Sequence, residues 1–480
     1  MTVHFFRSLS PLSALLTHTR FLVTLRSRSR ASEYHSLIVF RLSTTPLEND
    51  PHDHSSGPSQ IFAMESTCPH LGADLSHADI EDTDVGLVAV CPWHRYDFDL
   101  RTGHSETGLK ACTYRVETRM DDASRQEMVW IESPEGAGGW EVVELRPVSE
   151  EFADPPLAVP PVVADGQKAI SDEPLPVAEQ APEPKSLLEY AVLILNTADA
   201  ELKVERTRRA VSAFRTGKLK SIGRSQTLLN PPPDVPPRAQ TMQIVQPGKV
   251  AKRGKAGSLK SRIAILHALA NIEQWAIDLA WDIIARFGNE RINGEPLPPQ
   301  FFSDWAKVAE DESKHFSLLR RRLEEMGSFY GAHTVHAGLW ESAQQTSTSL
   351  SARLCIIHLV HEARGLDVNP TTMAKFKAAR DLESVKVLEI IHHDEVTHVT
   401  AGHRWFTYLC SKLNVDPVTT FRTEVRDHFS GALKGPFNEE DRRKAGMTPD
   451  FYEDLQGELG GGSRPTGDVG TKGIVEIGYP

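Results

Sequence analysis

Two cysteines and two histidines stand close together in the first quarter of the chain, as Cys68-x-His70 and Cys91-x-x-His94. Thiolates and neutral imidazoles are metal ligands, and two of each suit tetrahedral zinc. Zinc sites of this composition usually keep a Cys-x-x-Cys pair together and a His-x-x-x-His pair together. Here each short segment supplies one of each. That alternation suits a [2Fe–2S] centre in which two thiolates hold one iron and two imidazoles hold the other. Zinc stays open as the second reading of these four residues.

A second constellation is spread along the C-terminal half. ANIEQWAIDLAWD holds Glu273, VAEDESKHF holds Glu312 and His315, HEARGLD holds Glu362, and HHDEVTHV holds Glu395 and His398. The order Glu, Glu-x-x-His, Glu, Glu-x-x-His is the ligand pattern of ferritin-like di-iron bundles. The i, i+3 spacing puts each Glu and His on one helix face. Each carboxylate also interrupts an apolar stripe, Glu273 among Leu266, Leu269, Ile277 and Ala280, and Glu312 among Trp305, Val308, Phe316 and Leu319. Burying ionised carboxylates without compensation costs several kcal/mol each, and two iron ions, or other divalent metals, would supply the positive charge. The last helix carries competing patterns. Glu389 and His392 form a second Glu-x-x-His, and His393 with His398 has the spacing of mononuclear iron oxygenases of the Rieske type. That alternative lacks its acid, because position 390 is Ile, so Glu395 and His398 are the expected pair.

These residues need two kinds of scaffold. HSLIVFRL, IFAMEST, GLVAVC and EMVWIES are short β-rich runs separated by Gly, Asp and Pro, so 34–146 reads as a small all-β domain. Residues 147–184 are rich in Pro, Ala and acids, the composition of an extended linker whose contribution is proximity rather than contact. From 185 the period becomes helical, with two helices before a second Pro-rich stretch at 230–240. Long amphipathic segments follow near 258–287, 300–326, 345–366 and 381–412. Gly327 and Pro370 sit where helix stops are expected. The helical domain reads as 185–457, with a flexible tail over 458–480. The fold class is therefore multidomain α+β, a small all-β domain followed by an all-α bundle. GKVAKRGKA (248–256) has the wrong glycine spacing for a phosphate loop.

A length of 480 residues with 40% hydrophobic and 25% charged content suits two or three globular domains. No run approaches the roughly 18 apolar residues of a membrane span. Five cysteines make no disulfide framework. The net charge of −12 argues against bulk nucleic-acid binding, although 203–224 is a candidate basic patch. Residues 1–33 are rich in Arg, Ser and Thr, with no acid before Glu33. That composition resembles a mitochondrial transit peptide or a disordered N-terminus, and in either case lies outside the fold; the expected location is mitochondrial or cytoplasmic.

CPHLG, CPWH, FDL and the Thr102-Gly103 pair together resemble the two cluster-binding loops of the Rieske family, and GLKACTYRVE resembles the segment after its covering loop. The resemblance implies that Cys68, His70, Cys91 and His94 hold a [2Fe–2S] cluster. Respiratory-type members carry an extra cysteine in each loop, joined as a disulfide; here those places are Ala73 and Trp93. The Gly often found after the second His is Arg95. The loops thus resemble the ferredoxin and oxygenase types, low in the span of about −150 to +300 mV. Cys112 lies outside the motif and reads as a packing residue. HALANIEQWAIDLAWD, FFSDWAKVAEDESKHFSLL, HEARGLDVNP and IIHHDEVTHVTAGHRWF closely resemble a ferritin-like family known as domain of unknown function 455, over about 188–456. The resemblance implies Glu395 and His398 on the fourth helix. One departure is Asn271, where members usually have His.

Together the two constellations predict a redox protein whose cluster passes electrons to a di-iron pair that activates O₂ for oxidation of an unknown substrate. An external reductase is required, since no flavin or nicotinamide motif is present in the sequence. The alternative is a non-catalytic or ferroxidase-like iron-binding protein with a Rieske electron-transfer or docking module.

Overall fold

The computed structural model describes residues 6–42, 60–83, 86–121, 125–134, 139–148, 183–224, 231–246, 249–250 and 253–459. Nearly all of the expected linker, and the expected tail beyond Leu459, lie outside the described residues. An N-terminal all-β region precedes a helical C-terminal region.

The β region begins with β1 (Phe6–Pro11), a single helical turn α1 (Leu12–Leu15), β2 (Arg20–Ser27) and β3 (Tyr34–Leu42). It continues with β4 (Gln60–Glu65), β5 (Asp79–Thr83), β6 (Gly86–Val90) and β7 (Asp97–Asp99). β8 (Thr113–Tyr114), β9 (Val116–Asp121), β10 (Gln126–Glu132) and β11 (Trp140–Pro147) complete it. One antiparallel sheet has the order β11-β2-β3-β4-β8, and three-stranded sheets have the orders β1-β10-β9 and β5-β6-β7.

The expectation that residues 1–33 stand outside the fold is overturned. β2 is an interior strand, paired to β3 on one side and β11 on the other. Phe21, Val23 and Leu25 alternate into a core with Leu15, Leu37, Val39 and Trp140. The basic composition that hid this strand has structural work elsewhere: buried Arg26 pairs with Glu141 and donates to the Arg443 carbonyl.

The helical region comprises α2 (Leu187–Leu195), α3 (Ala200–Arg215), α4 (Leu259–Phe287), α5 (Pro299–Glu325) and α6 (Gly338–Gln344). Then come α7 (Leu350–Cys355), a wider π-helical segment (Ile356–His361), α8 (Glu362–Ala378) and α9 (Leu382–Leu413). Ser186, Asp199, Ser258 and Asp381 cap the starts of α2, α3, α4 and α9 by accepting from backbone N–H groups. α5 stops before left-handed Gly327, as expected. Pro370 does not end its helix; it lies inside α8. Proline frees the carbonyl four residues back, and that carbonyl, of Leu366, accepts from the Asn438 side chain. α4 packs on α5 and α2, α8 on α9, and α5 on α9. Among the described residues no helix is long and apolar enough to cross a membrane.

The two regions share one continuous apolar core, in which Met64, Cys91 and Trp93 join Phe214, Phe301 and Trp405. The Trp93 indole donates to the Phe214 carbonyl at 2.9 Å, and the two rings lie 5.4 Å apart. Gly217 packs so tightly on Pro92 and Trp93 that a Cβ would clash at 2.6 Å. Tyr34 and His403 are bonded at 2.6 Å. The β region is thus docked by contact, which corrects the expectation that the linker supplies proximity alone. The candidate basic patch over 203–224 is corrected too. Lys203 is fully buried against Asp278, and Arg215 is paired with Glu310.

Candidate metal centres

The first site lies on two loops of the β region. The loop after β4 carries Cys68 and His70, and the loop between β6 and β7 carries Cys91 and His94. The loops are built alike. Gly72 N donates to the Cys68 carbonyl and Cys68 N to the Ala73 carbonyl, both at 2.8 Å. Arg95 N donates to the Cys91 carbonyl at 3.0 Å and Cys91 N to the Tyr96 carbonyl at 2.7 Å. Gly72 and Arg95 both adopt left-handed backbone, φ 76° and 59°. That is the reason a glycine suits position 95; an arginine there costs about 1–2 kcal/mol. Arg95 forms surface ion pairs with Asp79 and Glu81.

Both thiols are free and buried, and no disulfide is formed. They bond to each other, which holds Cys91 down to about 6 while the same bond, with burial, pushes Cys68 up. The rings of His70 and His94 stand 4.8 Å apart and nearly perpendicular. His70 Nδ1 is buried without a hydrogen-bond partner. An orphaned buried ring nitrogen beside two thiols that share a proton fits metal ligation. Cys112 is exposed, so its reading as a packing residue is corrected.

The second site lies where α4, α5, α8 and α9 meet. Ligand atoms of Glu273, Glu312, His315 and Glu395 lie within 4.8 Å of one another, and so do those of Glu312, Glu362, Glu395 and His398. Glu312 and Glu395 belong to both sets, so the six residues could hold two adjacent ions with two carboxylates between them. His315 Nδ1 is 3.3 Å from Glu312 and 3.6 Å from Glu273. His398 Nδ1 is 3.0 Å from Glu312 and 3.7 Å from Glu395. Glu389 and His393 are exposed, and His392 turns to Asp441 at 3.1 Å, so the competing patterns on α9 face away. The π-helical segment ends immediately before Glu362, where the wider turn resets the face the helix presents.

The charge balance is one-sided. Burial and the neighbouring Glu312 hold Glu273 well above the carboxylate range, and burial with Glu395 does the same to Glu362. Burial also pushes Glu312 up, but His398 and His315 outweigh it and hold it low. Against the effect of burial, Asp394 with Glu273 and Glu312 pushes His315 well up, and Glu312 with Asp311 and Glu395 does the same to His398. Glu312 Oε1, Glu395 Oε2 and His398 Nδ1 are buried and make no hydrogen bond; the 3.0 Å approach of His398 Nδ1 to Glu312 Oε1 is an ion-pair contact without hydrogen-bond geometry. Orphaned acceptors in a cluster of four carboxylates and two imidazoles fit divalent cations.

Two further residues escape the sequence pattern. His315 Nε2 faces Asp394 at 3.0 Å, and His398 Nε2 faces Asp311 at 3.3 Å. Each aspartate fixes the outward nitrogen of a histidine whose other nitrogen meets the cluster. Asp311 is gripped by Arg146 of β11, and Asp394 by Lys314 at 2.5 Å. A signal was present: both Glu-x-x-His segments read Asp-Glu-x-x-His. A cavity of about 40 Å³ adjoins Glu273, Glu362 and Glu395, walled by Leu269, Ile272 and Ile391.

Residues 196–453 match the family model described as "Protein of unknown function (DUF455)". The chain belongs to the DUF455 family. An "Uncharacterized protein" of Haemophilus influenzae is 38% identical over 207 residues, 43% of this chain and 71% of that protein. Residues 35–114 match the Rieske [2Fe-2S] domain model and contain Cys68, His70, Cys91 and His94. A human "Rieske domain-containing protein" is 49% identical over 44 residues, 9% of this chain and 28% of that protein. The chain thus joins a Rieske iron–sulfur electron-transfer module to a DUF455 helical unit. β1, β2 and β9 to β11 fall outside the Rieske match yet complete the β region.

Proposed function

We propose that the chain is an iron-dependent redox protein in which a [2Fe–2S] cluster passes electrons to a carboxylate-bridged di-iron pair in a ferritin-like bundle, which activates O₂ to oxidise a substrate. The observation that carries this reading is the acidic cluster. Four carboxylates and two imidazoles converge inside the bundle, and the ordinary remedy for burying so many acids is metal charge. Bound iron would supply one-electron steps and O₂ reduction. Cys68 and Cys91 would hold one iron of the cluster, and His70 and His94 the other. Glu312 and Glu395 would bridge the bundle pair, with Glu273 and His315 completing one ion's ligands and Glu362 and His398 the other's.

The rest of the arrangement supports the same reading. The cluster loops dock at the start of α5: Gln300 meets Thr67, and Pro299 packs on Gly72. Thirteen residues of that helix lead from Pro299 to Glu312, about 20 Å of rise. The apolar cavity beside the carboxylates has room for a molecule of O₂'s size, since a water needs roughly 10–15 Å³ by the same measure. Two electrons per turnover would require two visits to the cluster and an external reductase. The cavity's small size favours one alternative, a ferroxidase-like role in which Fe²⁺ itself is the reductant.

The test is anaerobic reduction of the full chain through the cluster, followed by rapid mixing with O₂. Glu395→Ala should retain the cluster signal but reoxidise it slowly, and His70→Ala should retain bundle iron yet pass no electrons. Equal cluster reoxidation in wild type and Glu395→Ala would rule out transfer to the bundle. Rapid Fe²⁺ oxidation by His70→Ala, with no dependence on the cluster, would establish the ferroxidase alternative.

A further inference from the structure

The Gly-rich basic segment that fails as a phosphate loop has another place in the fold. Arg253 and Gly254 of that segment, with Lys260 at the start of α4, line a second cavity of about 300 Å³. It lies against a different face of α4 from the acidic cluster, and its remaining walls include His267, His333 and His336. No aspartate or glutamate lines it among the described residues.

Two of these histidines have fixed tautomers. His267 is 1% exposed, and its Nε2 accepts from the backbone N–H groups of Gly331 at 2.8 Å and His333 at 3.4 Å. His336 is 8% exposed, and its Nδ1 accepts from Gly338 N at 3.2 Å. Burial, with His333 beside one and Arg253 beside the other, holds both below the ordinary histidine value, so both rings are neutral. A neutral imidazole has one lone pair and one N–H. In each ring the lone pair is already taken by a backbone N–H, so the proton sits on the other nitrogen. Among the described residues neither proton has an acceptor, although both side chains line the cavity. The same geometry disfavours a metal, which would need those lone pairs and would meet Arg253 and Lys260.

The cavity therefore gathers two buried imidazole N–H donors beside Arg253 and Lys260, and among the described residues no carboxylate lines it. We propose that it binds a small phosphorylated metabolite, with the phosphoryl oxygens accepting from His267 Nδ1–H, His336 Nε2–H and Arg253. A phosphoryl group offers several acceptor oxygens for converging donors, and the first turn of a 29-residue helix adds a favourable field for an anion. The volume exceeds that of free phosphate and is at the lower end of small-molecule pockets, about 300–1,000 Å³.

Calorimetric titration of the full chain, at constant ionic strength in chloride, tests this with inorganic phosphate, ribose 5-phosphate and adenosine monophosphate. At least one organic probe should bind with a Kd below about 1 mM and more tightly than inorganic phosphate. Arg253→Gln and His336→Phe should each weaken it at least about tenfold, from loss of a hydrogen bond to a charged group. His336→Gln, which can accept and donate as the imidazole does, should retain most of the affinity. Lys260→Gln is exposed, so it tests the charge contribution without disturbing the core. Inorganic phosphate alone binding would reduce the site to a free-phosphate site and overturn the metabolite. No binding of any probe, affinity unchanged in Arg253→Gln and Lys260→Gln, or Zn²⁺ binding in place of phosphate would overturn the proposal. Glu395→Ala should bind the probes as wild type does, which separates this site from the acidic cluster.

Discussion

Arg146 connects the β region to the second metal centre, and its removal should be felt in both. The residue lies next to the end of β11, and its guanidinium grips Asp311 with two hydrogen bonds, 165 residues away in sequence. The Asp311 side chain is only 2% exposed and Arg146 18%. Breaking a buried pair by removing one partner costs about 3–5 kcal/mol. Lys314 remains 3.3 Å from the same carboxylate and Arg146 is not fully buried, so we expect about 2 kcal/mol for Arg146→Met at neutral pH. The pH dependence has a definite sign. Burial pushes the Asp311 carboxyl up, but Arg146 and Lys314 outweigh it and hold it well below the usual range. A depressed carboxylate contributes stability that is present above its unfolded value, about 3.9, and is lost as pH falls through its folded value. The gap between wild type and Arg146→Met should be full at pH 7 and shrink in acid. Urea unfolding of metal-free protein, with hydrogen exchange of the α5 amides as a local probe, measures it in a cycle with Asp311→Asn. The expected coupling is about 2 kcal/mol; additivity within about 0.5 kcal/mol would refute the pairing. Asp311→Asn should also lower metal affinity by about 10–100-fold through His398.

Cys91→Ser and His94→Ala should each abolish the Rieske absorption and the low-g EPR signal of the reduced protein, while circular dichroism shows the helical region folded. Glu312→Ala and Glu395→Ala should each lose bound metal by elemental analysis, whereas Glu389→Ala, on the exposed face of α9, should keep it. Glu273 and Glu362 have raised values in the metal-free cluster, so their contribution favours the fold below about pH 4.5 and is lost as pH rises through the folded values. Added metal should therefore raise the thermal midpoint more at pH 8 than at pH 6, and an equal gain at both would count against these carboxylates as ligands. A chain cleaved near Ala181 should still elute as one species on gel filtration, because Trp93, Tyr34, Arg26 and Arg146 all bond across to the helical region.

What the sequence determined by itself is local chemistry at fixed spacing. Cys68-x-His70, Cys91-x-x-His94 and the two Glu-x-x-His pairs are legible because a tight loop or a helical turn translates spacing directly into geometry. The long helices were legible for the same reason, as apolar residues recurring at helical period. Tertiary structure decided what depends on partners distant in the chain. Residues 1–33 read as a transit peptide or disordered N-terminus because Arg20 and Arg26 mask the alternation of Phe21, Val23 and Leu25, and only the flanking strands and Glu141 show where each side belongs. Lys203 belongs by sequence to a candidate basic patch, and only the fold sets it against Asp278 across the bundle. Pro370 could stay inside its helix because Asn438 caps the freed carbonyl from 72 residues away. Asp311 and Asp394 were visible as letters beside each Glu-x-x-His, yet their role depends on the fold bringing His398 and His315 against them from the facing helix. Periodicity records which face of an element is buried; it carries no record of which distant side chain meets that face, and the pairing of buried charges is set there.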